Sequence, residues 1–99
     1  MDRCVVIDGV SHGFRFGYGA LMLAEEVLGR PWGDVRSFRA DFVLMFCCFV
    51  NADTDFPYGF DDLVELCDAD HGLLVVMREE LQRQMSRWGG SGDGDKKKG

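Results

Sequence analysis

Lysine is missing from the first 95 residues of the chain, whose only three lysines are Lys96, Lys97 and Lys98. The positive charge of residues 1–88 comes from eight scattered arginines, which face fifteen aspartates and glutamates and leave a formal charge of −7. Because phosphate contacts need clustered cations, this composition argues against a nucleic-acid-binding protein. An anionic membrane surface would repel the same acidic body. We therefore expect neither nucleic acid nor a membrane among its partners.

Long apolar segments are missing as well. The longest run, FVLMFCCFV, has nine residues, about half of the roughly twenty that a membrane-spanning helix needs. The opening MDRCVVIDG lacks the basic stretch and following apolar stretch of a signal peptide. We therefore expect a cytoplasmic protein.

Cysteine spacings typical of metal or redox sites are also absent. Cys4, Cys47, Cys48 and Cys67 form no C-x-x-C pair, so free, buried thiols are expected in a cytosolic protein. Cys67 and His71 could form a nucleophilic pair, but no neighbouring residue supplies an orienting partner or an oxyanion hole. We expect no enzyme.

The glycines of GFRFGYG lack both the G-x-G-x-x-G spacing and a Walker lysine, which excludes a phosphate-binding loop of these kinds. No cofactor is therefore expected.

One acidic loop resembles a calcium site. In NADTDFPYGFDD, Asn51, Asp53 and Asp55 alternate and Asp62 is the twelfth residue, as in an EF-hand. Phe56, however, occupies the sixth position, where the sharp turn needs glycine, and Asp62 is shorter than the usual glutamate. A solvated loop whose acids cap the next helix is the favoured interpretation, and calcium binding is the alternative. We expect no metal.

The segment CDADH, residues 67–71, also collects possible ligands, namely a thiol, two carboxylates and an imidazole. A metal needs three or four converging groups, and only His12, if it folded over, could complete this set. A helix start with capping aspartates is the favoured interpretation.

The N-terminal region predicts a β-hairpin. Val5, Val6 and Ile7 form a β-branched strand, and both Asp8-Gly9 and His12-Gly13 are turn formers. Phe14 and Phe16 alternate with a polar residue, which predicts the second strand there. A two-stranded hairpin is marginal alone, so its apolar face should lie on helices.

Two helices are predicted next. GYGALMLAEEVLGR carries apolar residues at helical spacing and should end at Gly29. The second helix should run from Asp34 or Ser37 to about Val50.

Two further helices follow the acidic loop. FDDLVELCD predicts a short one, and the last should begin near Asp68 or Asp70 and run to Trp88. Its apolar stripe consists of Leu73, Leu74, Met77, Leu81, Met85 and Trp88, whose spacing is typical of a core-facing stripe. The fold class is therefore α+β, mostly α, with an N-terminal hairpin packed on about four helices. Residues 1–88 form the domain, and residues 89–99 are expected to be a flexible, glycine-rich tail.

The second helix carries more apolar residues than a surface helix of a small monomer is expected to bury. We therefore expect part of it, with the aromatic residues of the following loop, to contact a partner or a second copy. The candidate residues are Phe42, Met45, Phe46, Phe49, Phe56, Tyr58 and Phe60. Ordinary monomer core is the alternative for any one of them.

The order of these pieces resembles the tail assembly chaperones of long-tailed bacteriophages. The shared layout is a short strand ending in DG, a second strand FRFGYGALMLAEEVLG running into a helix, a tryptophan and charged turn, an apolar helix, the small acidic helix FDDLVELCD and a last amphipathic helix. The resemblance covers residues 5–88. It implies a protein of the host cytoplasm that binds the tape measure protein, keeps it soluble and helps to deliver tail tube subunits.

In that family the short chaperone gene commonly ends at a slippery heptamer, where some ribosomes shift frame and make a longer product. Lysine codons are AAA or AAG, so the bases encoding Lys96, Lys97 and Lys98 can spell A-AAA-AAG. The longer frameshifted form of the chain is then a further partner, and GGSGDGD would be its tether. An engineered linker is the alternative origin of this tail.

Two other functions fit the sequence less well. A small regulatory or anti-defence protein could bind a host protein through the same apolar residues. A calcium-responsive module could use Asp53, Asp55 and Asp62.

Overall fold

The computed structural model describes residues 4–34 and 37–90, and it confirms the predicted class: a two-stranded hairpin followed by four helices. The strands are β1, Cys4–Ile7, and β2, Val10–Gly13. The helices are α1, Tyr18–Leu28, α2, Phe38–Ala52, α3, Phe60–Ala69, and α4, His71–Gly90. A short 3₁₀ helix, Trp32–Asp34, lies between α1 and α2.

The hairpin turns at Asp8-Gly9, as predicted. Both residues have positive φ, 53° and 78°, which is the backbone that an Asp-Gly pair accepts at a two-residue turn. The expected second strand through Phe14 and Phe16 is wrong. The tight turn pairs Ile7 with Val10, and the described ladder ends where Cys4 pairs with Gly13. His12-Gly13 is therefore the end of a strand and not a turn.

Helices α1 and α2 have the predicted stop and start. Gly29 follows α1 in the left-handed conformation, with φ of 77°, and its N–H donates to the carbonyl of Glu25. Of the two predicted starts of α2, Ser37 is used: its Oγ accepts a hydrogen bond from the Ala40 N–H at 3.0 Å. The two helices pack against each other, and α2 continues two residues beyond the predicted Val50.

Helix α2 lies at the centre of the core and contacts α1, α3, α4 and β2. Eight of its fifteen residues are buried, and they include both Cys47 and Cys48. The expectation that one small chain could not bury the apolar half of this helix is therefore largely wrong. The physical reason is that elements from both ends of the chain cover it, so that its apolar circumference faces protein on several sides.

The last two helices meet at a one-residue corner. Asp70, the second of the predicted capping residues, ends α3, and its Oδ1 accepts a hydrogen bond from the Gly72 N–H at 3.0 Å at the start of α4. The predicted stripe of α4 faces inward, with Leu73, Met77 and Leu81 buried. Helix α4 includes Gly89 and Gly90, so the helix extends beyond the predicted domain end. The remainder of the predicted tail, 91–99, lies outside the described residues, as does the side chain of Trp88.

Candidate functional site

The structure brings six of the seven predicted contact residues into one cluster of rings along α2, which we call the α2 aromatic cluster. The rings of Phe49 and Phe56 stack with centroids 4.5 Å apart, and Phe46 contacts the rings of both Phe56 and Phe60. The members of the cluster are Phe42, Phe46, Phe49, Phe56, Tyr58 and Phe60. Aromatic pairs of this kind stabilise a fold by about 0.5–1.5 kcal/mol beyond the area that they bury. The loop after α2 is thus fixed to the helix by ring contacts.

The predicted contact residues lie at different depths. Phe42, Met45 and Phe49 are buried, with exposures of 4%, 1% and 0%, which favours the alternative of ordinary core for these three residues. The remaining four, Phe46, Phe56, Tyr58 and Phe60, are partly exposed, and their contact with a partner stays a prediction. Three of the seven predicted residues therefore belong to the core, and four lie partly at the surface.

A groove of about 470 Å³ runs along α3, between the start of α2 and the first turns of α4. We call it the α3 groove. Its apolar lining consists of Phe38, Phe42, Phe60, Val64, Cys67 and Leu74. Its polar lining consists of Arg39, Asp61, Asp68 and His71, all of them exposed. Polar side chains at the rim and apolar ones beneath are typical of a surface that binds another polypeptide.

The start of α2 forms one wall of the α3 groove. Ser37 caps the helix, so Phe38 is its first residue and its ring is 60% exposed. The ring lies 6.1 Å from that of Phe42, which is one turn further along α2 and buried. The next residue, Arg39, has its guanidinium 5.6 Å from the ring centroid of Phe60. This cation–π contact joins α2 to α3.

The opposite wall is acidic. Asp61 and Asp68 are seven residues apart on α3, and two helical turns place them on the same side of the helix. Among the described residues, neither carboxylate has an ion-pair or hydrogen-bond partner, and both are exposed. The rim of the α3 groove therefore carries two unpaired negative charges along α3 and one positive charge, Arg39, on α2.

The sequence did not reveal Phe38, Val64 and Leu74 as parts of one surface. Phe38 lies ahead of the long apolar run, and Val64 and Leu74 belong to two different helices. The only signal in the sequence was that Phe38 precedes Phe42 by one helical turn and so extends the apolar face of α2 beyond the core.

The possible nucleophile Cys67 lies at the base of the groove and is buried. Burial raises the pKa of its thiol to about 11, and the carboxylates of Asp68 and Asp70 add to the rise. Its Sγ lies 3.8 Å from the Sδ of Met77. A thiol with a raised pKa is a poor nucleophile at neutral pH because little thiolate forms. All four cysteines are free.

The side chains of the EF-hand-like segment do not converge. Asn51 belongs to α2, and its Nδ2 donates to the carbonyl of Arg15 at 3.0 Å, while the Arg15 Nη2 donates to the Asn51 carbonyl. Asp53 Oδ1 accepts from the Asp55 N–H, and Asp62 Oδ2 accepts from the Gly59 N–H at the start of α3. Across residues 4–34 and 37–90, no group of three acidic, histidine or cysteine side chains could hold a metal ion.

His12 does not join the CDADH segment. Its imidazole packs edge-on against the rings of Phe56 and Tyr58, with centroids 5.3 and 5.8 Å away. Of the residues of that segment, Asp70 caps α4, while Cys67 and His71 line the α3 groove.

Comparisons with known proteins complete the description of the chain. Within the described residues, no helix has the length and apolar character that crossing a membrane requires. No protein family, no curated protein and no solved structure matches the chain.

Proposed function

We propose that the protein is a tail assembly chaperone of a long-tailed bacteriophage. In this proposal it acts in the host cytoplasm, where it binds the tape measure protein and tail tube subunits while the tail is built. A longer frameshifted product of the same gene shares residues 1–88 and joins the same assembly. The protein holds its client by non-covalent contacts.

The observation that carries the proposal is the α3 groove on a small acidic body. Its apolar surface comes from Phe38, Val64 and Leu74. Phe38 is the most exposed of the three, at 60%, and the other two are partly exposed. A chaperone needs apolar surface that can shield a client from water. It also needs net charge to stay in solution while doing so, and the chain has a formal charge of −6.

The layout of the fold supports the same proposal. The hairpin, the two packed helices α1 and α2, the short acidic α3 and the amphipathic α4 follow the order on which the resemblance rests, although the second strand is Val10–Gly13 and not the FRFGYG segment. The rival proposal, a regulator of one host protein, uses the same groove. The genes next to this one distinguish the two.

The test is to sequence the bases of codons 94–99 together with the region downstream. A chaperone gene should carry a slippery heptamer at Lys96 to Lys98, an overlapping frame encoding a second small domain, and then a very long gene for a helical protein. A regulator gene should carry none of these.

Deletion of the gene from a phage that carries it provides the functional test. The proposal predicts that lysates contain filled heads without tails, and that supply of the gene from a plasmid restores tails. Normal tails in the deletion lysate would contradict the proposal.

A further inference from the structure

We infer that the α3 groove binds one amphipathic helix of its client, with the apolar stripe of that helix in the groove and lysines or arginines along the flank that faces Asp61 and Asp68. This inference rests on the proposed function, since it specifies the segment that the chaperone would hold. The length of the groove, its apolar lining and the charges on its rim carry it.

The groove has the length of a short helical contact. Its lining on α3 extends from Phe60 to Asp68, eight positions later, or roughly 12 Å at the helical rise of 1.5 Å per residue. A client helix that contacts it through residues i, i+3 or i+4, and i+7 spans about 10.5 Å. Three apolar anchors at this spacing are the usual pattern for a helix bound in a groove.

The charges on the rim favour a basic flank on that helix. Asp61 and Asp68 are exposed, have no partner among the described residues and stand two turns apart on α3. Two cationic residues seven positions apart on a helix lying along α3 would face them in the same register. Arg39 places a positive charge on the opposite wall, which α2 forms. A client helix with acidic residues on the side facing α3 would therefore be repelled by Asp61 and Asp68 and attracted towards Arg39.

The charge pattern disfavours the exposed helix α1 of a second copy. Helix α1 exposes the apolar residues Tyr18, Met22 and Val27, but its charged residues are Glu25 and Glu26, and no lysine or arginine lies in Tyr18–Leu28. Docked along α3, these glutamates would approach Asp61 and Asp68, and like charges would oppose binding.

The test uses the full chain and two synthetic eighteen-residue helical peptides as probes. Both peptides carry the same leucine stripe at i, i+4 and i+7, and they differ only in a flanking pair seven residues apart, which is lysine in one and glutamine in the other. Fluorescence anisotropy gives Kd for each. The lysine peptide should bind about five-fold more tightly at low salt, as expected for two exposed ion pairs, and this preference should shrink in 0.5 M salt.

Variants locate the contact. Asp61→Asn/Asp68→Asn should bind both peptides equally, whereas Glu25→Gln/Glu26→Gln, with the same change in net charge on α1, should keep the five-fold preference. Phe38→Ser should weaken both peptides to a similar degree. Its circular dichroism should match that of the native chain, because Phe38 is largely exposed.

Three results would overturn the inference. Equal binding of the two peptides by the native chain would show that Asp61 and Asp68 do not select a basic flank. Binding of neither peptide would show that the groove does not bind an amphipathic helix. A dimer that sedimentation detects and Phe38→Ser dissociates would show that a second copy covers the groove. None of these results bears on the gene-deletion test, so the proposed function and this inference can fail separately.

Discussion

The side chain of Gln84 on α4 is hydrogen-bonded to the backbone of Phe16, 68 residues earlier in the chain. The Phe16 N–H donates to Gln84 Oε1 at 2.8 Å, and Gln84 Nε2 donates to the carbonyl of Phe14 at 2.7 Å. All three residues are buried, with Gln84 at 6% exposure. Nε2 also donates to Glu80 Oε2 at 2.7 Å, and Arg83 pairs with Glu80. One amide thus forms hydrogen bonds with the backbone that follows β2, beyond the end of the described ladder.

Substitution of Gln84 by alanine should therefore destabilise the fold strongly. Gln84→Ala removes the side chain that pairs with the buried N–H of Phe16 and the buried carbonyl of Phe14, and the loss of a partner costs a buried polar group about 1–3 kcal/mol. We expect the free energy of unfolding to fall by about 3 kcal/mol in urea denaturation followed by circular dichroism. Gln82→Ala, an exposed position on the same helix, should change it by less than about 0.5 kcal/mol. Similar losses in both variants would contradict this role of Gln84.

Gly13 is predicted to be required because the chain passes close to the end of α2. A Cβ added at Gly13 would lie 2.9 Å from the Cβ of Ala52, well inside the roughly 3.5–4.0 Å of a favourable carbon contact. Gly13→Ala should lower the free energy of unfolding by about 1–3 kcal/mol. Ala52→Gly removes the opposing atom, so the double variant should lose less than the sum of the two single losses.

The matched control is Gly33→Ala, where no atom of the described residues other than Gly33 and its chain neighbours lies within 4 Å of the added Cβ. A change there of more than about 0.5 kcal/mol, or strict additivity of Gly13→Ala with Ala52→Gly, would show that the close approach is not the cause.

The four thiols should react at different rates with iodoacetamide. Cys4 is partly exposed, whereas Cys47, Cys48 and Cys67 are buried. Burial raises the pKa of the Cys47 thiol to about 11 and that of Cys48 further, with the neighbouring Cys47 adding to the rise. At pH 8, peptide mass spectrometry should find Cys4 alkylated first and the other three only on unfolding. Equal rates at all four positions in the native chain would contradict the buried placement.

The same thiols should make the fold less stable in alkali. When the chain unfolds, Cys47 and Cys67 return towards the ordinary pKa of 9.0, whereas in the folded chain their pKa is about 11. The unfolded chain therefore loses protons that the folded chain keeps, and the free energy of unfolding falls as the pH rises from 9 to 11. Below about pH 8 the thiols contribute almost no slope, because they are protonated in both states. Cys47→Ala should show a shallower fall over this range in urea titrations, and an unchanged slope would count against the assignment.

Local patterns were enough to predict most of the secondary structure. Gly29 ends α1, Ser37 begins α2 and Asp70 begins α4 because each supplies a conformation or a hydrogen bond that the helix end needs. The error at the hairpin has a physical reason. The pair His12-Gly13 is typical of a turn. Glycine is needed at position 13, however, because the backbone there passes close to Ala52, a residue 39 positions away.

The surface was harder to predict than the elements. Whether the apolar half of α2 was exposed depended on how many other segments cover it. Phe56 in the loop and Phe60 at the start of α3 cover it through ring contacts that no local pattern predicts. The α3 groove joins Phe38 with residues of two later helices, so it becomes visible only when those helices have packed. Of the residues that the sequence predicts for partner contact, only Phe42 and Phe60 line the α3 groove.

The most direct test is coexpression of the full chain with the long helical protein that the proposed function places downstream of its gene, followed by measurement of the soluble fraction of that protein. The account predicts that the native chain and the Glu25→Gln/Glu26→Gln variant keep the client soluble and copurify with it, whereas Phe38→Ser does neither although it folds. A client that stays insoluble with the native chain, or is equally soluble with Phe38→Ser, would contradict a chaperone that works through the α3 groove.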